Sequence, residues 1–152
     1  MAGVGLFVNS ANAVVALTGG TAKTVEQVVS ATSQAFMFTG MQFTFDGTSS
    51  TATPGLIQLM VQSTAGTMSA ATPVKCPRTD ESETLQTTAQ YNATAEPTAG
   101  NVLRMWHCHP QLGFIYEPPF GSYFKCVGGG RIGAKLNFPA AVNVMPGFWG
   151  EE

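Results

Sequence analysis

Over residues 36–62, and again over 102–138, apolar and polar side chains largely take turns along the chain. A period of two is the spacing at which a β-strand sends successive side chains to opposite faces. The cleanest run is 132–138, where Ile132, Ala134, Leu136 and Phe138 share one side and Gly133, Lys135 and Asn137 the other. In 56–62, Ile57, Leu59 and Val61 point one way, while Gln58 and Gln62 point the other together with Leu56 and Met60. In 36–45, strict alternation puts Met37, Thr39, Met41, Phe43 and Phe45 on one face and Phe36, Phe38, Gln42 and Thr44 on the opposite one. A strand starting near Val102 sets Leu103, Met105, His107 and His109 against Arg104, Trp106 and Cys108, with Trp106 expected in the core.

Helical patterning is nearly missing. Val25, Val28 and Val29 have helical spacing, but the stretch is rich in Val and Thr and runs straight into FMFTGMQFTF, so a strand is expected there too. Turn-forming clusters separate the runs at 46–55, 63–73, 94–101 and 128–131, where Gly supplies positive φ, Asp and Asn offer acceptors, and Pro presets the first turn position. The acidic stretch PRTDESET at 77–84 reads as a solvated loop. Short strands joined by such turns predict an all-β, single-domain β-sandwich or jelly roll with antiparallel strands over residues 1–152, with residues 1–12 available as an extended N-terminal arm.

Composition then changes what the surface must be. Charged side chains make up 11% of the chain, seven basic and nine acidic against seventeen glycines, and the net charge is −2. Typical soluble domains carry about 25% charged residues. A surface so poor in charge is covered by hydroxyls and amides or hidden against other subunits, which points to an assembled protein. No basic cluster offers the footprint of a nucleic-acid or anionic-membrane binder, so neither partner is expected. No run of eighteen apolar residues occurs. The apolar run Gly5 to Val8 is too short for a signal-peptide core, and no basic residue precedes Lys23. Cys76, Cys108 and Cys126 are odd in number and widely spaced, so they are expected as reduced, buried small hydrophobes.

The chemistry to weigh lies in NVLRMWHCHP, residues 101–110. His107 and His109, two apart on one strand face, reach toward a single metal; Glu117 or Cys126 are the remaining ligands on offer, and none has a spacing diagnostic of zinc. Cys108 points away from both histidines, so neither serves as its base. The segment GGGR at 128–131 lacks the Lys-Ser/Thr and the helix of a phosphate-binding loop. The favoured expectation is a strand end closed by Pro110. No catalytic residue, metal or cofactor is expected.

Three stretches resemble a group of small tailed-bacteriophage virion proteins of the capsid decoration, or cement, type: FDGTSSTATPGLIQLMVQSTAGTMSAATPVK at 45–75, ETLQTTAQYNATAEPTAGNVLRMWHCHPQLG at 83–113, and GGGRIGAKLNFPAAVNV at 128–144. Asp46-Gly47 and Gly128 to Arg131 match turn positions, and Ile132 to Phe138 a core strand. The resemblance implies a β-sandwich or jelly roll and a homotrimer. It implies a non-enzymatic role on the outer surface of the virion head, where the protein bridges capsomers of the major capsid protein after synthesis in the host bacterial cytoplasm. A tail, neck or fibre component and a glycan-binding virion surface module are the alternatives. The segment HCHPQLGFIYEPPFGSYF and the FWGEE tail depart from the pattern. Their aromatics, Phe114, Tyr116, Phe120, Tyr123, Phe148 and Trp149, are the candidate interface residues, since buried aromatics anchor contacts between proteins.

Overall fold

The computed structural model describes residues 5–9, 13–46, 53–76, 82 and 84–152. The described residues form strands and no helix, arranged as two antiparallel sheets packed against each other in a β-sandwich. The first sheet holds β1 (Gly5–Asn9), β2 (Val15–Leu17), β4 (Phe36–Asp46), β7 (Val74–Lys75), β10 (Phe114–Tyr116), β11 (Phe124–Cys126) and β13 (Val142–Glu151), and the second holds β3 (Lys23–Val29), β5 (Gly55–Gln62), β6 (Thr67–Ala71), β8 (Thr88–Ala95), β9 (Ala99–Cys108) and β12 (Arg131–Asn137). The order is β10-β4-β13-β1-β7 in the first sheet, with β11 also on β4 and β2 also on β13, and β6-β8-β3-β12-β5-β9 in the second.

Part of the stretch expected as an N-terminal arm is instead β1, an inner strand paired on one side with β13 and on the other with β7; residues 1–4 and 10–12 lie outside the described residues. So do 77–81 and 83 of the acidic loop and 47–52 of the turn at 46–55.

Alternation in 132–138 holds: Ile132, Ala134, Leu136 and Phe138 are core residues. In 36–45 it fails, because β4 carries a bulge. Gly40 pairs with Trp149 and Phe38 with Gly150, which leaves Thr39 as an extra residue. One inserted residue reverses the parity of everything beyond it. Phe36 and Phe38 therefore join Met41 and Phe43 on the inner face, all four fully buried, with Phe38 edge-on to Phe148 at 5.4 Å. Gly150 makes room, since a Cβ there would stand 2.5 Å from the Phe36 ring.

A second departure concerns polar residues. Gln27 and Gln62 lie on the side of the second sheet away from the core, yet both are buried. Strand pairs β5·β9 and β6·β8 flank β3 and β12, and the connections 63–66 and 96–98 carry both chains across those two strands. The connections run side by side, with Ser63 N donating to Thr98 O (3.0 Å) and Thr98 N to Thr64 Oγ1 (2.8 Å). Beneath them Gln27 Nε2 donates to Gln62 Oε1 (2.7 Å) and Thr64 O (3.1 Å), and Gln62 Nε2 to Thr24 Oγ1 (3.1 Å). Glu96 accepts from Thr24 N and Thr24 Oγ1, both at 2.8 Å, and pairs with Lys135 at 3.3 Å. The crossing is thus clamped to the sheet by a polar layer. No helix among the described residues is long and apolar enough to cross a membrane.

Candidate interaction edge

One lateral edge of the sandwich collects the unusual residues. There β9 closes the second sheet, and β10 and β11, both paired with β4, close the first. Aromatic rings bridge the gap between the sheets: Trp106 on β9 lies 5.2 Å from Phe114 and 4.5 Å from Tyr116, measured between ring centres. Phe114 stacks on Phe43 at 6.0 Å and Phe124 tilts against Phe38 at 6.2 Å. The Arg104 guanidinium stands 5.4 Å above the Phe124 ring, within reach of a cation–π attraction. Alternation along β9 sends Arg104, Trp106 and Cys108 inward across this seam, which leaves His107 exposed.

The two histidines flank the end of β9, His107 exposed and His109 half-buried. β9 ends at Cys108, and the following turn is closed by Leu112 N donating to His109 O (3.0 Å), while His109 Nδ1 accepts from Gln111 N (3.2 Å). The Cys108 thiol is buried and donates to Gly113 O at 3.1 Å. Burial raises the pKa of the Cys108 thiol and of the Cys126 thiol, so both favour the neutral form. Cys76 departs from the expectation that all three cysteines are buried, for it is exposed. Cys126 belongs to the first sheet and the histidines to the end of β9. No group of three or more metal-ligating side chains stands together among the described residues.

Of the six aromatics expected at an interface, Phe120 is 95% exposed. Tyr123 is half-buried and meets Phe120 edge-on at 6.2 Å. Phe114 and Tyr116 are half-buried in the seam. Of the other two, Phe148 requires correction. Phe148 is wholly buried, facing Phe38 from the inner side of β13, so it belongs to the core. Trp149, its neighbour, turns to the outer face and lies over Gly40, where a Cβ would come within 2.2 Å of the indole. The FWGEE tail is therefore the end of a central strand, anchored by the Glu152 carboxylate accepting from Gln86 N (2.7 Å) and Thr87 N (2.6 Å).

Sequence reasoning missed the aliphatic part of the edge. Apart from Val14 and Val74, every exposed large hydrophobic side chain among the described residues lies on or beside β5, β9, β10 and β11: Val61, Val102, Met105, Leu112, Ile115, Phe120 and Val127. Met105 and Val102 stand on the outer face of the second sheet and Ile115 on that of the first, so these side chains flank the edge from both sides; apolar surface so placed is a candidate contact region. Between β9, β11 and the start of β12 the edge opens into a groove of about 380 Å³ lined by Leu103, Tyr123, Phe124, Val127 and Ile132, with Cys126 and Arg131 also in its wall. The comparisons place no relative beside this edge, since no family model, curated protein or solved structure matches the chain.

Proposed function

We propose that the protein is a structural component of a tailed-bacteriophage virion, a decoration or cement protein that holds to the outer head shell through the exposed apolar side chains flanking β9 and β10 and stabilises the shell by bridging capsomers. The observation that supports this reading is that exposed apolar side chains, Met105, Leu112 and Ile115 among them, flank that edge in a chain with few charges. The sequence resemblance supplies the partner, the major capsid protein, and a homotrimeric state. Burying a few hundred Å² of apolar surface per contact contributes several kcal/mol at about 25 cal/mol per Å² before association costs. Repetition over symmetric copies multiplies that gain by avidity. No chemical step is required of any residue.

The test is co-sedimentation of purified protein with expanded empty capsids. Binding is expected, and Ile115→Ser combined with Met105→Ser should weaken it roughly tenfold or more while leaving the fold intact, because both side chains are exposed. Absence of binding at saturating protein sinks the reading. A glycan-binding surface module is the second reading, favoured by the exposed Phe120 and the adjoining Tyr123. Retention on host polysaccharide, lost on Tyr123→Ala, would select it.

A further inference from the structure

We propose that a second copy of this chain inserts its 117–120 segment, Phe120 foremost, into the groove between β9, β11 and β12, and that this head-to-tail contact joins copies to one another. The knob is built to project. Pro119 O accepts from Ser122 N at 2.9 Å, closing a turn in which Gly121 takes φ +81°, a backbone angle that suits glycine. Phe120 occupies the first central position of that turn, at its tip, where it is 95% exposed. Pro118, buried, and Pro119 restrict the approach to it. A ring held out by a fixed turn loses little freedom when it docks, which is the advantage of a preorganised anchor.

The groove is apolar along Leu103, Phe124, Val127 and Ile132, and its volume of about 380 Å³ leaves room for an aromatic ring. The chain's own Phe120 does not fill it, since that ring stays exposed while Tyr123 alone links knob and groove. Charge identifies the occupant. The groove wall carries half-buried Arg131, whose Nε is buried without an acceptor, while exposed Lys125 stands on the other face of β11. Glu117, exposed three residues before Phe120, has no ion-pair partner among the described residues. In a chain this poor in charge, an acid on the knob and a guanidinium nitrogen without an acceptor at the groove are complementary. Knob and groove are distinct patches, and the one-way insertion proposed is heterologous: it closes into a ring where the rotation allows and otherwise runs on as a filament, whereas reciprocal insertion would stop at a twofold pair.

Sedimentation of the full chain without capsids tests this apart from the virion reading, because shell attachment and self-association are separate measurements. Association above the monomer is expected, and Phe120→Ser should weaken it roughly tenfold or more. Val127→Trp, filling the groove from an exposed position, should also give monomers. Mixing the two variants should then restore a one-to-one pair, because one keeps its groove and the other its knob. Glu117→Lys and Arg131→Glu should each weaken association, and the double reversal should recover it, a control independent of whether Val127→Trp folds. A wild-type chain that stays monomeric at its solubility limit, association indifferent to Phe120→Ser, or charge reversals that fail to compensate would each overturn the proposal.

Discussion

Glu26 sits on the inner face of β3, across the register from Ala134 on one side and Tyr91 on the other, and neither of its carboxyl oxygens meets a donor. A bulge at Val25 puts it there: Glu26 pairs with Ala134 but Thr24 with Lys135, so Val25 is extra and both Val25 and Glu26 are fully buried. Burial without a compensating bond raises the pKa well above that of an ordinary carboxyl, so the neutral acid is favoured in the fold. The sign of the linkage follows. The stability tied to this group is whole below the carboxyl pKa of the unfolded chain and is lost progressively as pH rises from there toward the raised folded value. Replacing it with an apolar side chain of similar size removes both the unsatisfied oxygens and the pH term. Glu26→Met is expected to stabilise the protein by about 1–3 kcal/mol near neutral pH. The gain should shrink as pH falls through 4. Urea midpoints of both proteins at pH 4 and pH 8 check this, and a gap that does not widen at the higher pH would contradict the assignment.

Strands were legible where alternation is uninterrupted, and unreadable where a bulge or a crossing intervenes. β12 follows its pattern residue for residue, and β3 is a strand despite the helical spacing of its valines, because Val and Thr favour the pleated backbone. β4 reads wrongly because pattern alone does not reveal the extra residue at Thr39. Gln27 and Gln62 look like solvent-facing positions, and no local signal announces that the 63–66 and 96–98 connections cover them. The interface residues suffered likewise: Phe120 and Phe148 have the same side chain in similarly apolar, glycine-containing surroundings, and only the partner strands decide that one projects and the other is core. Aliphatic residues such as Ile115 and Met105 carried no surface signal at all, since alternation names a face without naming what covers it. The bulge gives the element-scale prediction. Deleting Thr39 would restore continuous pairing with β13 and turn Phe36 and Phe38 away from the core. The expected outcome is loss of the cooperative thermal transition, checked by near-ultraviolet circular dichroism, whereas Thr39→Ser should melt within a few degrees of wild type. A deletion that melts like wild type would mean that the bulge does not set the parity.

The two ends of the chain meet inside one sheet, for β1 lies along β13 with Gly5 opposite Glu151 and Asn9 opposite Gly147. The first sheet is complete only when its most distant strands pair, and β13 is also the partner of β4 and β2. The β6·β8 pair asks far less, joining Ala71 to Ala89 across a short excursion. From there the ribbon can zip through the crossing into β5·β9 without any other long loop closing first. The difference in loop length is about three doublings, worth roughly 2 kcal/mol of closure entropy in favour of the ribbon. A topology so rich in distant pairings places folding in the millisecond-to-second range. During refolding, pulse-labelled amides of β5, β6, β8 and β9 are therefore expected to gain protection before those of β1 and β13. Substitutions in the crossing, such as Glu96→Ala, should slow folding, while destabilising changes in β13 should mainly speed unfolding. Simultaneous protection of all strands, or earlier protection of β1, would show that the sandwich closes as a whole and that loop entropy does not order its assembly.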